Sequence, residues 1–204
     1  MIGTALALVG SVAGVAPSGP ANAAVAGSVC ELANDGSVYR YAGNQTWTFI
    51  GSSATAVYGG GYGMFGLRSD NNIYRFASGG VQLVGGPGAT FAVSNDGLYG
   101  LSPNNSGVWQ YSGSGDSWFQ IGGAATKLYA GGYGIFAISP GTNNIIRYIN
   151  GGWQQVGGPG ATFAVSNNAL YGLSPDRSAV WQYSGSGQGW FQIGGAARTI
   201  VACT

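Results

Sequence analysis

Histidine is absent from this 204-residue chain. With it go the commonest general base and the commonest metal ligand. Charge is nearly absent as well: 6% of the residues, against roughly 25% in an ordinary soluble domain. The seven basic residues stand singly and the formal net charge is +1. Such a chain has no basic surface to neutralise a row of phosphates, so the expectation is no nucleic-acid partner. The six acids, Glu31, Asp35, Asp70, Asp96, Asp116 and Asp176, are dispersed over separate segments. A glycosidase needs two carboxylates held a fixed few ångströms apart, which this dispersal does not offer. GPGATF and GGGYG are rich in glycine, but neither opens a helix with a lysine, so a phosphate-binding loop is excluded. No calcium loop of the DxDxDG kind occurs. The expectation is a protein that is not an enzyme and holds no metal or cofactor.

What the chain has instead is 40 glycines together with 13% aromatic and 45% hydrophobic residues. Each glycine in a helix interior costs about 1 kcal/mol relative to alanine, so long helices are disfavoured. Disorder is disfavoured too, because disordered chains lack this apolar content. Short strands joined by tight turns remain.

Residues 1–23 read differently. MIGTALALVGSVAGVA is apolar and small, and Ala21-Asn22-Ala23 is an A-x-A cleavage pattern. The usual positive n-region is missing. The run contains Gly14 and Pro17 and falls short of the roughly 20 apolar residues that span a membrane. The expectation is a cleaved signal peptide over 1–23, a secreted, extracellular product without membrane insertion, and one domain over 24–204.

The stretch VGGPGATFAVSN occurs twice, at Val84–Asn95 and Val156–Asn167, 72 residues apart. The true period is half of that. WTFIG at Trp47, VQLVG at Val81, WFQIG at Trp118, WQQVG at Trp153 and WFQIG at Trp190 are one recurring element. VYRY, IYRF, VWQY, IIRY and VWQY are a second, and CELA, FGLR, YGLS, FAIS and YGLS a third. A fourth follows the Gly-Gly step and begins at Thr55, Thr90, Thr126, Thr162 and Arg198, spaced by 35 and then three times 36 residues. Each unit thus holds four runs rich in aromatic and β-branched residues, separated by SNDG, SPNNSG, SGSGDS or GGPGA turns. Four short strands per repeat of this length is the layout of a β-propeller blade. The coils of a β-helix are shorter and do not need four turns.

The ends point to an all-β ring of five blades, each of four antiparallel strands. The N-terminal unit lacks a first strand, and the C-terminal RTIVACT is a first strand without the rest. An open solenoid needs caps, whereas a ring closes by this splice and loses its exposed edges. Superposed units put Cys30 and Cys203 on the two sides of one hairpin, close enough for a disulfide in a closed ring. Two lone cysteines in a secreted chain favour pairing, with two free buried thiols as the alternative.

The pattern W-x-x-[IV]-G-G, then YAGGYG, then [YF]-[GA]-[LI], then [IV]-[YW]-[RQ]-[YF] resembles the tectonin and tachylectin-like β-propeller lectins, from Val29 to Thr204. Tachylectin-2-like proteins have longer repeats, and tectonins more often close with six blades. The resemblance implies a sugar-binding protein with several equivalent sites between adjacent blades, acting on glycans or glycoconjugates by multivalency and on N-acetylated sugars in particular.

A sugar site needs an aromatic plate and planar hydrogen-bonding groups. The first-to-second and third-to-outer turns share one end of the ring, and that end collects the candidates: Tyr62, Asp96, Asp116, Trp118, Tyr133, Asn167 and Trp190. Each also has a plainer reading. A tryptophan that opens almost every outer strand suits blade-to-blade packing. The Ser-Asn residues are ordinary turn formers. Tyr62 and Tyr133 stand between glycines with no evident burial. The opposite end, with SPNNSG, SPDRSA and GGPGA, reads as polar and without aromatics. The rival to a lectin is a non-enzymatic extracellular propeller scaffold for protein–protein interaction.

Overall fold

The short apolar runs between turn formers all become strands, and the glycine- and asparagine-rich segments between them become the hairpins. The computed structural model describes residues 29–77 and 80–202, and no helix occurs among them. Nineteen strands form five antiparallel sheets. Sheet 1 comprises β1 (Cys30–Leu32), β2 (Val38–Gly43) and β3 (Thr46–Gly51). Sheet 2 comprises β4 (Ala54–Gly60), β5 (Gly63–Arg68), β6 (Ile73–Ala77) and β7 (Gly80–Gly85). Sheet 3 runs through β8 (Thr90–Val93), β9 (Leu98–Leu101), β10 (Val108–Tyr111) and β11 (Trp118–Gly122). Sheet 4 has β12 (Lys127–Gly131), β13 (Gly134–Ile138), β14 (Ile145–Ile149) and β15 (Gly152–Gly157). Sheet 5 has β16 (Thr162–Val165), β17 (Leu170–Leu173), β18 (Val180–Tyr183) and β19 (Trp190–Gly194).

Every sheet is a meander, so strands pair in chain order and hairpins suffice to join them. The first strands of sheets 2 to 5 lie side by side in succession, so the sheets fan out around a common inner edge. An apolar core fills each of the four successive sheet-to-sheet interfaces. Val38, Ile50, Met64 and Phe76 fill the first; Phe65, Ile73, Val84 and Phe91 the second. Tyr99, Leu101, Val108 and Leu128 fill the third; Phe136, Ile145, Val156 and Phe163 the fourth. Phe65, Phe76 and Phe136 are fully buried, each contributing roughly 1.5–3 kcal/mol relative to exposure.

The inner edge is tight. Gly132, in the turn between β12 and β13, packs against Asn95 and Asn167, and Asn95 Nδ2 donates to Asn167 Oδ1 at 3.4 Å. A Cβ on Gly132 would lie 2.5 Å from Asn167 Oδ1 and 2.6 Å from Asn95 Nδ2. No side chain fits there, which accounts for the glycine.

Two links between sheets alternate along the chain. Into sheets 2 and 4 the link carries an alanine whose N–H reaches back to a turn of the preceding sheet: Ala54 to Gly36 O at 2.9 Å and Ala125 to Asn105 O at 3.1 Å. After sheet 5, Ala197 repeats this contact with Arg177 O at 3.1 Å. Into sheets 3 and 5 the link is Gly-Pro-Gly (86–88 and 158–160), and neither Gly88 nor Gly160 makes the backward bond among the described residues.

Sheet 1 has three strands, as the sequence reading expects for a unit lacking its first strand. The strand expected at Arg198 is not formed among the described residues: 199–202 have no regular structure, and they join no sheet. Cys30 opens β1 and pairs in register with Arg40. Cys203, its expected disulfide partner, lies outside the described residues, and so does the expected signal peptide over 1–23.

Candidate functional site

The end of the fan that gathers the sequence candidates is built largely by packing. Tyr62 and Tyr133 sit in the β4–β5 and β12–β13 turns and are half-buried. Their rings stack on Phe65 and Phe136, with centroids 6.0 and 6.1 Å apart. Arg75 lies 5.6 Å over the Tyr62 ring, and Arg147 lies 4.1 Å over Tyr133 while donating to the Tyr133 carbonyl at 2.8 Å. The N–H groups of Tyr62 and Tyr133 cross to the next sheet, to Ser94 O and Ser166 O, both at 3.0 Å.

The turn residues serve their own turns. Asp96 is exposed and accepts from Ser94 Oγ, whose oxygen also takes the Gly97 N–H at 3.1 Å. Asn167 is exposed and is bonded to Asn95 across the inner edge. Asp116 is exposed in the β10–β11 turn and adds a small upward push to the pKa of Tyr111, which burial raises first. Asp35, Asp70 and Asp176 each accept a backbone N–H two residues on, at 2.9–3.0 Å. Their carboxyls are held below the usual range, by the backbone bond foremost at Asp35 and Asp176 and by the Tyr74 hydroxyl at Asp70.

Trp118 and Trp190 begin at this end, but their indoles extend across the neighbouring strands toward the links. Their Nε1 groups donate to Val84 O and Val156 O of the preceding sheet, both at 2.7 Å. A Cβ on Gly85 would lie 2.5 Å from Trp118 Nε1, and one on Gly157 would lie 2.7 Å from Trp190 Nε1. Gly85 and Gly157, each at the end of an outer strand, are therefore the seats of indoles.

Beside each of these indoles opens a cleft that the sequence reading missed. The first has a volume of about 280 Å³; its floor and walls are Phe91, Gly100, Trp109 and Trp118, with Gly86–Gly88 along one side and Pro103 at the rim. The second, about 220 Å³, repeats this with Phe163, Gly172, Trp181 and Trp190, and with 158–160 and Pro175. Phe91, Gly100 and Trp109 are direct neighbours across three strands, so their side chains share one face. Gly100 leaves its place on that face open, and a Cβ there would meet the Phe91 ring at 2.9 Å. Neither lining includes a charged residue. Trp109 and Trp181 are half-buried, and their Nε1 groups donate to no described residue.

The clefts lie at the end read from sequence as lacking aromatics. Their tryptophans come from strand interiors and reach that end only once the register is set. A signal existed: Gly-Pro-Gly links and tryptophan in the VWQY element occur in the same two units and in no other.

No family model matches the chain, and no curated protein matches it. Among solved structures it is similar to YCF48 bound to D1 peptide, a β-propeller protein, at 15% identity and a TM-score of 0.50. That similarity covers 76% of this chain and 61% of YCF48, so the chain spans 61% of the length of that neighbour. It is also similar to PorZ, an essential bacterial surface component of the type-IX secretion system of Porphyromonas gingivalis. The PorZ match is 15% identical with a TM-score of 0.42, over 81% of this chain and 26% of PorZ. Fold and likeness to YCF48 define the class: this is a β-propeller built from repeated units.

Proposed function

We propose that this propeller is a non-enzymatic carbohydrate-binding protein of the tectonin and tachylectin-like kind, secreted, and holding neutral sugars against the indoles of the two clefts. The observation that carries the reading is the pair of uncharged clefts, each offering aromatic plates beside a glycine-rich backbone edge. A sugar ring presents an apolar face to an indole and hydroxyls to backbone groups, and a lining without charge suits a ligand without charge. Two weak sites on one disc give stronger attachment to a displayed glycan than either gives alone. The disc is closed, in this reading, by Arg198–Thr204 completing sheet 1 and by a Cys30–Cys203 disulfide. The Ala197 contact with Arg177 supports it, since the same contact precedes sheets 2 and 4.

A glycan array printed at high density, with inhibition by free monosaccharides, tests this. Retention on a subset of glycans, reversed by millimolar sugar, is the expected result. Silence across the array would end the lectin reading.

A second reading has one observation of its own. YCF48 is described with a peptide bound, and clefts walled by indole and proline also suit an extended peptide. On that reading the chain is an interaction scaffold, and a pull-down would recover a protein partner instead of a glycan.

A further inference from the structure

We infer that ligand binding is confined to sheets 3 and 5, so that the propeller is two-sited and Trp109 and Trp181 decide which sheets bind. The inference deepens the proposed function and rests on it for the ligand class, a single neutral pyranose ring. It narrows the expectation of several equivalent sites between adjacent blades to two named sites.

The cleft requires four things at once: a phenylalanine on the first strand, a glycine facing it on the second, a tryptophan facing that on the third, and a link that stands off the preceding sheet. Sheet 3 supplies them as Phe91, Gly100, Trp109 and the 86–88 link. Sheet 5 supplies Phe163, Gly172, Trp181 and the 158–160 link. The corresponding row in sheet 4 is Leu128, Ala137 and Ile146. It lacks an aromatic plate, and its glycine is filled by a methyl group. In sheet 2 the row is Val57, Gly66 and Tyr74. There the Tyr74 ring is already occupied, with Arg68 4.9 Å above it and its hydroxyl donating to Asp70 at 2.7 Å.

The links divide the same way. Ala54 and Ala125 are 6% and 1% exposed, so their methyl groups are buried as they dock backward. Gly88 takes the place that Ala125 holds in the next unit, since Ala89 bonds to Leu101 O as Thr126 bonds to Ile138 O; a Cβ on Gly88 would lie 2.7 Å from the Phe91 ring and 2.9 Å from Leu101 O. The ring that bars a side chain at Gly88 is the floor of the cleft. The Gly88 N–H makes no backward bond among the described residues, and it stands at the edge of an aromatic pocket. A pyranose lying on Trp109 and Trp118 meets that backbone edge with its hydroxyls.

Crystals soaked separately with a hexose, an N-acetylhexosamine and N-acetylproline amide test this, alongside calorimetry of any compound that binds. The expected result is sugar density in both clefts and a stoichiometry of two. Trp109→Ala is expected to halve the stoichiometry, and Trp109→Ala with Trp181→Ala to abolish binding, with the thermal midpoint tracked to show that the variants remain folded. Trp109→Leu serves as a second variant that keeps apolar volume but removes the plate. If only N-acetylproline amide enters the two clefts, the two-site inference stands and the sugar reading falls. Density at other sheet interfaces or beside Tyr62 and Tyr133 would overturn the inference. So would empty clefts at saturating ligand, or binding that survives in the double variant.

Discussion

The interface between sheets 2 and 3 and the interface between sheets 3 and 4 are anchored alike. In each, an indole from the outer strand of the later sheet donates to a carbonyl of the earlier one: Trp118 to Val84 at 2.7 Å, Trp153 to Ile121 at 2.8 Å. Each indole also packs on a tyrosine of its own sheet, Tyr111 and Tyr148, with centroids 5.5 and 5.4 Å apart. The first interface nevertheless carries the Trp109 cleft, whereas the second lacks both its aromatic row and its Gly-Pro-Gly link. The anchoring hydrogen bond is therefore architecture, present with a cleft or without one. What distinguishes the interface with a cleft is the second tryptophan and the link, and these can be altered without touching the anchor.

The largest expected effect removes the shared anchor. Trp118→Ala and Trp153→Ala should each destabilise by about 3 kcal/mol, through lost apolar burial, a cavity and a stranded carbonyl. Chemical denaturation should find the two costs equal within about 1 kcal/mol, although only one residue lines a cleft. A cost confined to Trp118 would break the comparison. Next comes the link. Gly88→Ala forces a methyl group against Phe91 and Leu101 O and should cost about 1–3 kcal/mol, while closing the cleft. A crystal structure of the variant would show whether the link shifts toward the preceding sheet, as at Ala125. Trp109→Ala should be milder, within about 1 kcal/mol, because the ring is half-buried and anchors nothing. Its signature is lost ligand binding in sheet 3 with an almost unchanged unfolding midpoint.

The smallest effect is on pH. Burial raises the pKa of Tyr111 and Tyr183 above the ordinary value, and their hydroxyls donate to Gly115 O and Gly187 O, both at 3.1 Å. The folded state thus holds these protons more tightly than the unfolded chain does. The contribution is complete below the ordinary tyrosine value of about 10 and is lost as pH rises through the folded value. Denaturation curves between neutral and strongly alkaline pH should show this decline, and Tyr111→Phe with Tyr183→Phe should make it shallower, the remainder coming from Tyr58 and Tyr99, which burial also raises.

The strands were legible because their signals are local. Trp47, Val81, Trp118, Trp153 and Trp190 mark outer strands in the sequence, and each lies in the last strand of its sheet. The clefts were not legible, because Gly88, Phe91, Gly100 and Trp109 meet only through pairing register. A chain that spells SPNNSG and GGPGA at one end gives no sign that indoles from mid-strand will hang over it. Of the expected site residues, Trp118 and Trp190 do line the clefts. Tyr62, Tyr133, Asp96 and Asn167 are tied into turns and cross-sheet bonds. Asp96 and Asn167 sit in turns, as turn formers do, whereas Tyr62 and Tyr133, which show no evident burial in the sequence, are half-buried and stack on Phe65 and Phe136.

The meeting of Asn95 with Asn167 over Gly132 has a consequence for how such a chain can change over generations. Two copies of one duplicated turn touch each other at the hub, so neither can drift alone. A change in either copy alters the surroundings of its sibling and of Gly132, which has no room for a side chain of its own. Divergence is cheap at the outer rim, where copies never meet, and coupled at the centre, where they share one space.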